Sequence, residues 1–274
     1  MKVLKFAFGA VLLFVMLGFT SLAQANSVAL PTGCAVLGGA AVTNTGPTVV
    51  SGGVCVSAGT AISGFPPGTV SSGSINDNNA TAIAAHLAAI TAYNTLVGLS
   101  VTQDLTGQNL GGLTLTPGVY SFSAAAQLTG PLVLNFNNLD NVSFVFQIGS
   151  ALTTASGSSV VVENAGTNDN VYWVVGSSAT LGTTTSFVGN ILAQASITLN
   201  TGAKINCGSA LAISGAVTLD DNTINACSTA GVSGGSGGEG GGTSPTPEPG
   251  TLILLLTGGL AIAALLSRRL LAVS

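Results

Sequence analysis

A chain of 274 residues that is 47% hydrophobic but only 5% charged is not composed like an ordinary cytosolic domain. Its formal net charge is −4, and between its two terminal segments Lys204 is the sole lysine or arginine. Such a surface cannot neutralise a run of phosphates, which excludes nucleic acid as a partner.

The chain opens with Lys2 and Lys5, an apolar run from Phe6 to Phe19, and the small-residue site Ala23-Gln24-Ala25. That order reads as a secretory signal peptide over residues 1–25, cleaved after Ala25. A transmembrane anchor is the competing reading, but the run is short and ends in a cleavage pattern.

Residues 28 to 75 are rich in Gly, Thr, Val and Ser, with Gly64-Phe65-Pro66-Pro67-Gly68 as a firm turn. Val49-Val50, Val54-Cys55-Val56 and Ala61-Ile62 are short strand candidates. The period then changes. Asn76 or Asp77 can cap a helix, and Ala80 to Leu96 is alanine-rich without Gly or Pro. A helix is expected over about 77–97, ended by Gly98. Ile83, Leu87, Ile90 and Val97 share one face at helical spacing, and this stripe is expected to bury against the rest of the domain. His86 and Tyr93 also sit on the helix, and a lone histidine here is read as structural. From Val101 strand and turn signals return, with turns at Gly111-Gly112 and Pro117-Gly118.

Phe144 to Ile224 contains a four-fold repeat. Anchored on Thr153, Thr180, Thr198 and Thr218, the apolar columns fall at fixed offsets: Leu152, Ala179, Ile197 and Val217 one residue before, and Phe146, Trp173, Ile191 and Leu211 seven before. Each unit reads as two short alternating strands joined at a small-residue corner. The anchors are 27, 18 and 20 residues apart, with the loop Asn164 to Asn170 enlarging the first interval. A period near 20 in a strand-rich sequence means coils stacked along an axis, paired as parallel strands about 4.7–4.9 Å apart. The threonines then form an outward ladder over an apolar core. A second outward column is Ser159, Ser186 and Lys204, joined by Thr223 if the last coil slips by one residue; Ser156, Thr183 and Thr201 lie near the intervening turn. Stacking of like side chains for packing alone is the plain alternative for both columns.

Cys34 and Cys55 are 21 residues apart, and Cys207 and Cys227 are 20 apart, each close to one coil. Neighbouring strands bring Cα atoms within disulfide range, so the pairs Cys34–Cys55 and Cys207–Cys227 are predicted, in keeping with an oxidising compartment. A metal site is the weaker reading because the spacings are long and His86 is remote; no cofactor is expected.

The domain is thus expected over 26–227, followed by a Gly/Ser linker over 228–246. Residues 247–274 hold Pro247-Glu248-Pro249, an uncharged run from Thr251 to Leu266, and Arg268-Arg269. The run is slightly short for a comfortable bilayer span, and the arginine pair places its end in the cytoplasm. This order resembles the PEP-CTERM sorting signal of Gram-negative bacteria. The resemblance implies membrane insertion, processing by an exosortase, and a final place on the cell surface or in the extracellular matrix; a plain C-terminal anchor is the alternative.

Five segments carry a second resemblance: Thr43-Asn44-Thr45-Gly46-Pro47, Gly64-Phe65-Pro66-Pro67-Gly68, Leu115 to Tyr120, Phe144 to Ser150, and Val188 to Ala193. Over about residues 28 to 226 and in the same order, helix included, the chain resembles the microbial ice-binding proteins built as a β-solenoid with a helix alongside. The resemblance implies a mainly β fold, an irregular right-handed parallel solenoid of roughly triangular section, acting as a monomer that adsorbs to ice through a flat face. It also implies motifs of the form Thr-(Ala/Gly)-x-(Thr/Asn). Thr45-Gly46-Pro47-Thr48 and Thr106-Gly107-Gln108-Asn109 match, Thr91-Ala92-Tyr93-Asn94 matches on the expected helix and is read as chance, and Thr60-Ala61-Ile62-Ser63 and Thr201-Gly202-Ala203-Lys204 come close. Lys204 departs from the pattern, since a hydrated ammonium should disturb ordered water.

Ice binding requires no catalytic group. It requires a rigid face of methyls and hydroxyls at regular spacing, and threonine supplies both on a stiff side chain. A structural or adhesive matrix module that binds glycans or itself is the competing function. A polysaccharide-cleaving β-helix would want paired carboxylates with basic residues nearby, whereas Asp220-Asp221 are adjacent and alternate in direction. The loop Asn168-Asp169-Asn170 offers oxygens but lacks a full calcium signature.

Overall fold

A computed structural model describes residues 28–227; the segments read above as a signal peptide, a linker and a sorting signal lie outside them. Within this span three parallel sheets of nine, seven and eight strands stack coil upon coil. One coil shows the plan. Asn170–Val175 lies in the first sheet, Ala179–Leu181 in the second and Ser186–Val188 in the third. The next coil repeats it with Asn190–Ala193, Ile197–Leu199 and Lys204–Cys207. This is the β-solenoid that the repeat predicts.

The stacking order is not the chain order. The last coil, Ala210–Ala212, Ala216–Leu219 and Thr223–Asn225, pairs on its far side with the first, Val36–Gly38, Ala41–Asn44 and Val49–Ser51. Beyond the first coil come Val54–Val56, Ala61–Ser63 and Thr69–Ser71, and Ile75–Asp77 closes the first sheet. The strand candidates before the helix are therefore genuine coils. They extend the end of the solenoid opposite to the one where the chain resumes at Gln103–Asp104.

Alternation fills the interior with aliphatic and aromatic side chains. Tyr120, Phe144, Phe146, Trp173 and Phe187 form a stack through successive coils, with Phe146 and Trp173 ring centroids 4.0 Å apart and nearly parallel. The buried indole N–H donates to the Val188 carbonyl at 3.0 Å, so its polar atom is satisfied. Gly189 has φ +115°, and a Cβ there would stand 2.6 Å from Trp173 Nε1; only glycine fits.

The helix spans Ala80–Val97 and packs on the first sheet. Its N-cap is Asn79, which accepts from Ala82 N–H, and not Asn76 or Asp77, because those two residues belong to the strand Ile75–Asp77. Gly98 follows the helix in right-handed conformation, φ −76°, and Gln147 reaches from the sheet to donate to the carbonyls of Leu96, Val97 and Leu99. The helix end is thus satisfied from outside the helix.

The expected buried stripe is wrong. Ile83, Leu87 and Val97 are 45, 60 and 47% exposed, and Ile90 is half-buried. The helix instead buries Ala82, Ala85, Ala89, Ala92, Tyr93 and Leu96 against Leu37, Val145, Tyr172, Val174, Leu192 and Leu211. The sheet surface is already filled by its own large residues, so close approach of the helix selects the alanine side. His86 donates from Nε2 to the Ile213 carbonyl at 2.8 Å, a structural role.

Both predicted disulfides are present, Cys34–Cys55 with Cα atoms 5.8 Å apart and Cys207–Cys227 at 5.0 Å. Each ties the chain to an adjacent coil.

Two measurements check this packing. Ala89→Leu should lower stability by about 2 kcal/mol through overpacking, while Leu87→Ser should stay within about 0.5 kcal/mol; urea unfolding monitored by circular dichroism compares them. Removing either disulfide by paired Cys→Ser substitution should cost about 3 kcal/mol, read as a lower thermal midpoint that reductant produces in the native domain but not in the variant lacking both bridges.

Candidate functional site

The solenoid has three outer surfaces, and they differ. The helix covers the first sheet. Among the described residues, no helix packs on the second and third sheets.

On the second sheet the predicted ladder forms in exact lateral register. Thr153 pairs with Thr180, Thr180 with Thr198, and Thr198 with Thr218. The row then crosses the seam between the two halves of the chain, where Thr218 pairs with Thr43, and it ends at Ser63. At the other end Gln127 pairs with Thr153, and an isolated bridge joins Asn109 to Gln127. Five consecutive rungs are threonine, a row of about 19 Å at 4.7–4.9 Å per coil.

Three of these hydroxyls remain available. Thr153, Thr180 and Thr198 make no side-chain hydrogen bond to any described residue, whereas Thr43 donates to Thr218 Oγ1 at 3.5 Å. Two residues before each threonine stands a small residue, Ala151, Ser178, Ser196, Ala216 and Ala41, at or just ahead of the strand start, with Ala216 and Ala41 paired in register. Ser178 and Ser196 turn their hydroxyls back, accepting from the N–H of Ser196 and Ala216, both at 3.3 Å. The result is a threonine ridge beside a shallow trough, with no charged side chain in either row. Every pairing along this sheet runs without a register shift.

The third sheet carries the second predicted column. Pro131, Ser159, Ser186, Lys204, Thr223, Val49 and Thr69 follow one another in register, so Thr223 does join Lys204. This row mixes proline, valine and an ammonium group. A register shift between Phe187 and Val188, further along the same strand pair, also breaks the regularity of this sheet. Lys204 therefore lies on a different face from the threonine ladder.

The remaining sequence candidates scatter. Ser156, Thr183, Thr201 and Thr45 lie in the turns between the second and third sheets. Thr45 and Thr201 both donate to the Asp220 carboxylate, from the coils on either side of it. Thr60 sits at the corner between the first and second sheets. Thr48 is a correction: it is 0% exposed, and its hydroxyl accepts from Asn222 N–H at 3.0 Å, so it supports a turn and cannot face a ligand. In the match that begins at Thr106, that residue is held by Asp104 and Ser123.

Two rungs escape the sequence argument. Thr43 fits the repeat, with Val42 one residue before and Val36 seven before, but Gly38 and Asn44 replace its aliphatic flanks. Gln127 fits every apolar column, with Tyr120, Phe122, Ala126 and Leu128, and is missed only by a search for threonine.

The acidic groups serve the fold. Asp169 is buried, which pushes its carboxyl up, although it accepts from the N–H of Val142 and Gly166 at 3.1 and 2.7 Å. Those donors occupy both of its oxygens. Backbone and hydroxyl donation from Thr167 holds the exposed Asp140 carboxyl low.

A helix-flanked three-sided solenoid with a threonine row on one open sheet defines a class of surface-binding proteins. The profile of the family described as ice-binding-like matches residues 36–225, and the chain belongs to that family. It is 55% identical over 195 residues to an ice-binding protein of Nostoc sp. (strain HG1), covering 71% of this chain and 72% of that one. An ice-binding protein of Colwellia sp. is 38% identical over 138 residues, 49% of this chain and 53% of its own. Among solved structures, an ice-binding protein from an Antarctic biological consortium superposes with a TM-score of 0.68 at 41% identity, covering 72% of this chain and 89% of its own. One from the Antarctic ascomycete Antarctomyces psychrotrophicus gives 0.69 at 37%, covering 74 and 98%.

The turn contacts make a prediction of their own. Asp220→Asn should lower the thermal midpoint, because a charged acceptor shared by Thr45 and Thr201 becomes neutral; the expected cost is about 1 kcal/mol.

Proposed function

We propose that this domain adsorbs to ice through the outer surface of its second sheet. One observation carries the reading: five threonines, Thr153, Thr180, Thr198, Thr218 and Thr43, stand in unbroken register on an uncharged sheet. Rungs about 4.7–4.9 Å apart and rows about 6.5–7 Å apart give a two-dimensional array of methyls and hydroxyls. Waters held by free hydroxyls above methyl groups can take an ice-like arrangement before contact, so little further ordering is needed at the crystal. The trough of Ala and Ser lets a second row of water settle beside the threonines. The third sheet supports this poorly, since Lys204 interrupts its column and Glu163 stands outward near one end.

We further infer that the domain works outside the cell as a monomer. The order Lys2, Lys5, apolar run and Ala23-Gln24-Ala25 supports export, and Pro247-Glu248-Pro249 ahead of Arg268-Arg269 supports exosortase processing after membrane insertion.

The two open faces can be told apart. Thr198→Lys should raise the concentration needed to inhibit ice recrystallisation by about tenfold or more, the loss of roughly 1.4 kcal/mol of adhesion. Ser186→Lys on the third sheet should leave it unchanged, and both variants should unfold like the wild type. Equal loss in both, or loss in Ser186→Lys alone, would move the site off the second sheet.

A further inference from the structure

The threonine row ends abruptly, and the two ends differ. At the far end Ser63 keeps the hydroxyl and loses only the methyl. At the near end Gln127 occupies the next rung in direct register with Thr153. The strand beneath it, Ala126–Leu128, is the edge strand of the seven-stranded sheet, continued outward by the isolated bridge from Gln127 to Asn109, and its inward neighbours Ala126 and Leu128 are buried. The small-residue position is also filled in this coil, by Ala125 two residues before Gln127, and Ala126 N–H donates to the Ala151 carbonyl at 2.9 Å. Core and small-residue positions thus continue through rung 127, on the edge strand of the sheet, where the outward side chain changes from threonine to glutamine.

Its replacement is unsuited to a flat water-ordering surface. Glutamine reaches two bonds beyond the threonine plane and is rotamer-rich, so fixing it against a crystal costs entropy. It is not tied down either, since its side chain makes no hydrogen bond to any described residue. Asn109, the next rung out, behaves differently. Its amide folds back onto the turn, accepting from Gly111 and Thr129 N–H at 2.8 and 3.0 Å and donating to Thr129 Oγ1 at 3.1 Å. Asn109 closes the sheet, whereas Gln127 has no such structural duty.

We propose that Gln127 is the specificity-determining boundary of the ice-contacting surface, a step that limits its length and hence its grip. The proposal rests on the second sheet being the ice-binding face. Adding a threonine there extends the row by one coil without disturbing any contact made by the native side chain, and a β-branched residue suits an exposed strand.

The experiment compares wild type, Gln127→Thr and Thr153→Gln in ice-recrystallisation assays, with ice-crystal shaping and thermal unfolding run in parallel. Gln127→Thr should lower the half-inhibiting concentration about fourfold, the worth of one more methyl group withdrawn from water. Thr153→Gln moves the step one coil inward and should raise it by at least as much. Unfolding midpoints near that of the wild type show that folding is intact. An unchanged or higher concentration for folded Gln127→Thr would overturn the boundary role while leaving the ice-binding reading in place. A wild-type domain that leaves ice unshaped would instead overturn that reading, and this proposal with it.

Discussion

The whole structure depends on one lateral pairing. Ala216–Leu219 of the last coil lies beside Ala41–Asn44 of the first, joining residues about 175 positions apart in sequence. This seam makes a single solenoid from two chain segments separated by the helix. It lets Thr43 follow Thr218, so the threonine row gains its fifth rung from the segment that precedes the helix. The two disulfides sit close to it, one holding the first coil to the second and the other fastening the end of the last coil. Such distant pairing carries an entropic cost of closure that the disulfides do not span; they close loops of 21 and 20 residues and restrict the unfolded chain within the coils that meet at the seam.

A rigid face follows from this arrangement. Each coil is bonded on both sides except at the ends, and the aromatic stack from Tyr120 to Phe187 fills the interior behind the sheets. Against such a backing, outward side chains keep the spacing set by backbone hydrogen bonds. The shortage of charge then acquires a physical sense, because an ammonium or carboxylate orders water around itself and not into a lattice. Where charge does occur it is set aside: Lys204 on the third sheet, Asp220 in a turn between two threonines, Asp169 inside a loop.

Much of the fold can be read in the sequence because β-solenoids repeat their own logic. The offsets around Thr153, Thr180, Thr198 and Thr218 predict the observed register, and the cysteine spacings of about one coil predict both bridges. Two readings fail, and two rungs are missed, for identifiable reasons. The helix exposes Ile83 and Leu87 because packing against a filled sheet rewards small residues over greasy ones. Thr48 matches a local motif, yet its turn folds inward, a matter of tertiary position that no four-residue pattern contains. Thr43 keeps only part of the repeat's apolar flanks and joins the row when the first coil is placed beside the last, whereas Gln127 fits every column and is missed only because it is not threonine.

The account's central claim is that ice meets the second sheet. Solid-state NMR of the domain frozen into ice, with threonine methyls labelled, tests it directly by following polarisation from ice protons into the protein. The account predicts early transfer to the methyls of Thr153, Thr180, Thr198, Thr218 and Thr43, ahead of Thr223 and Thr69 on the third sheet. Transfer that reaches Thr223 and Thr69 first would contradict it.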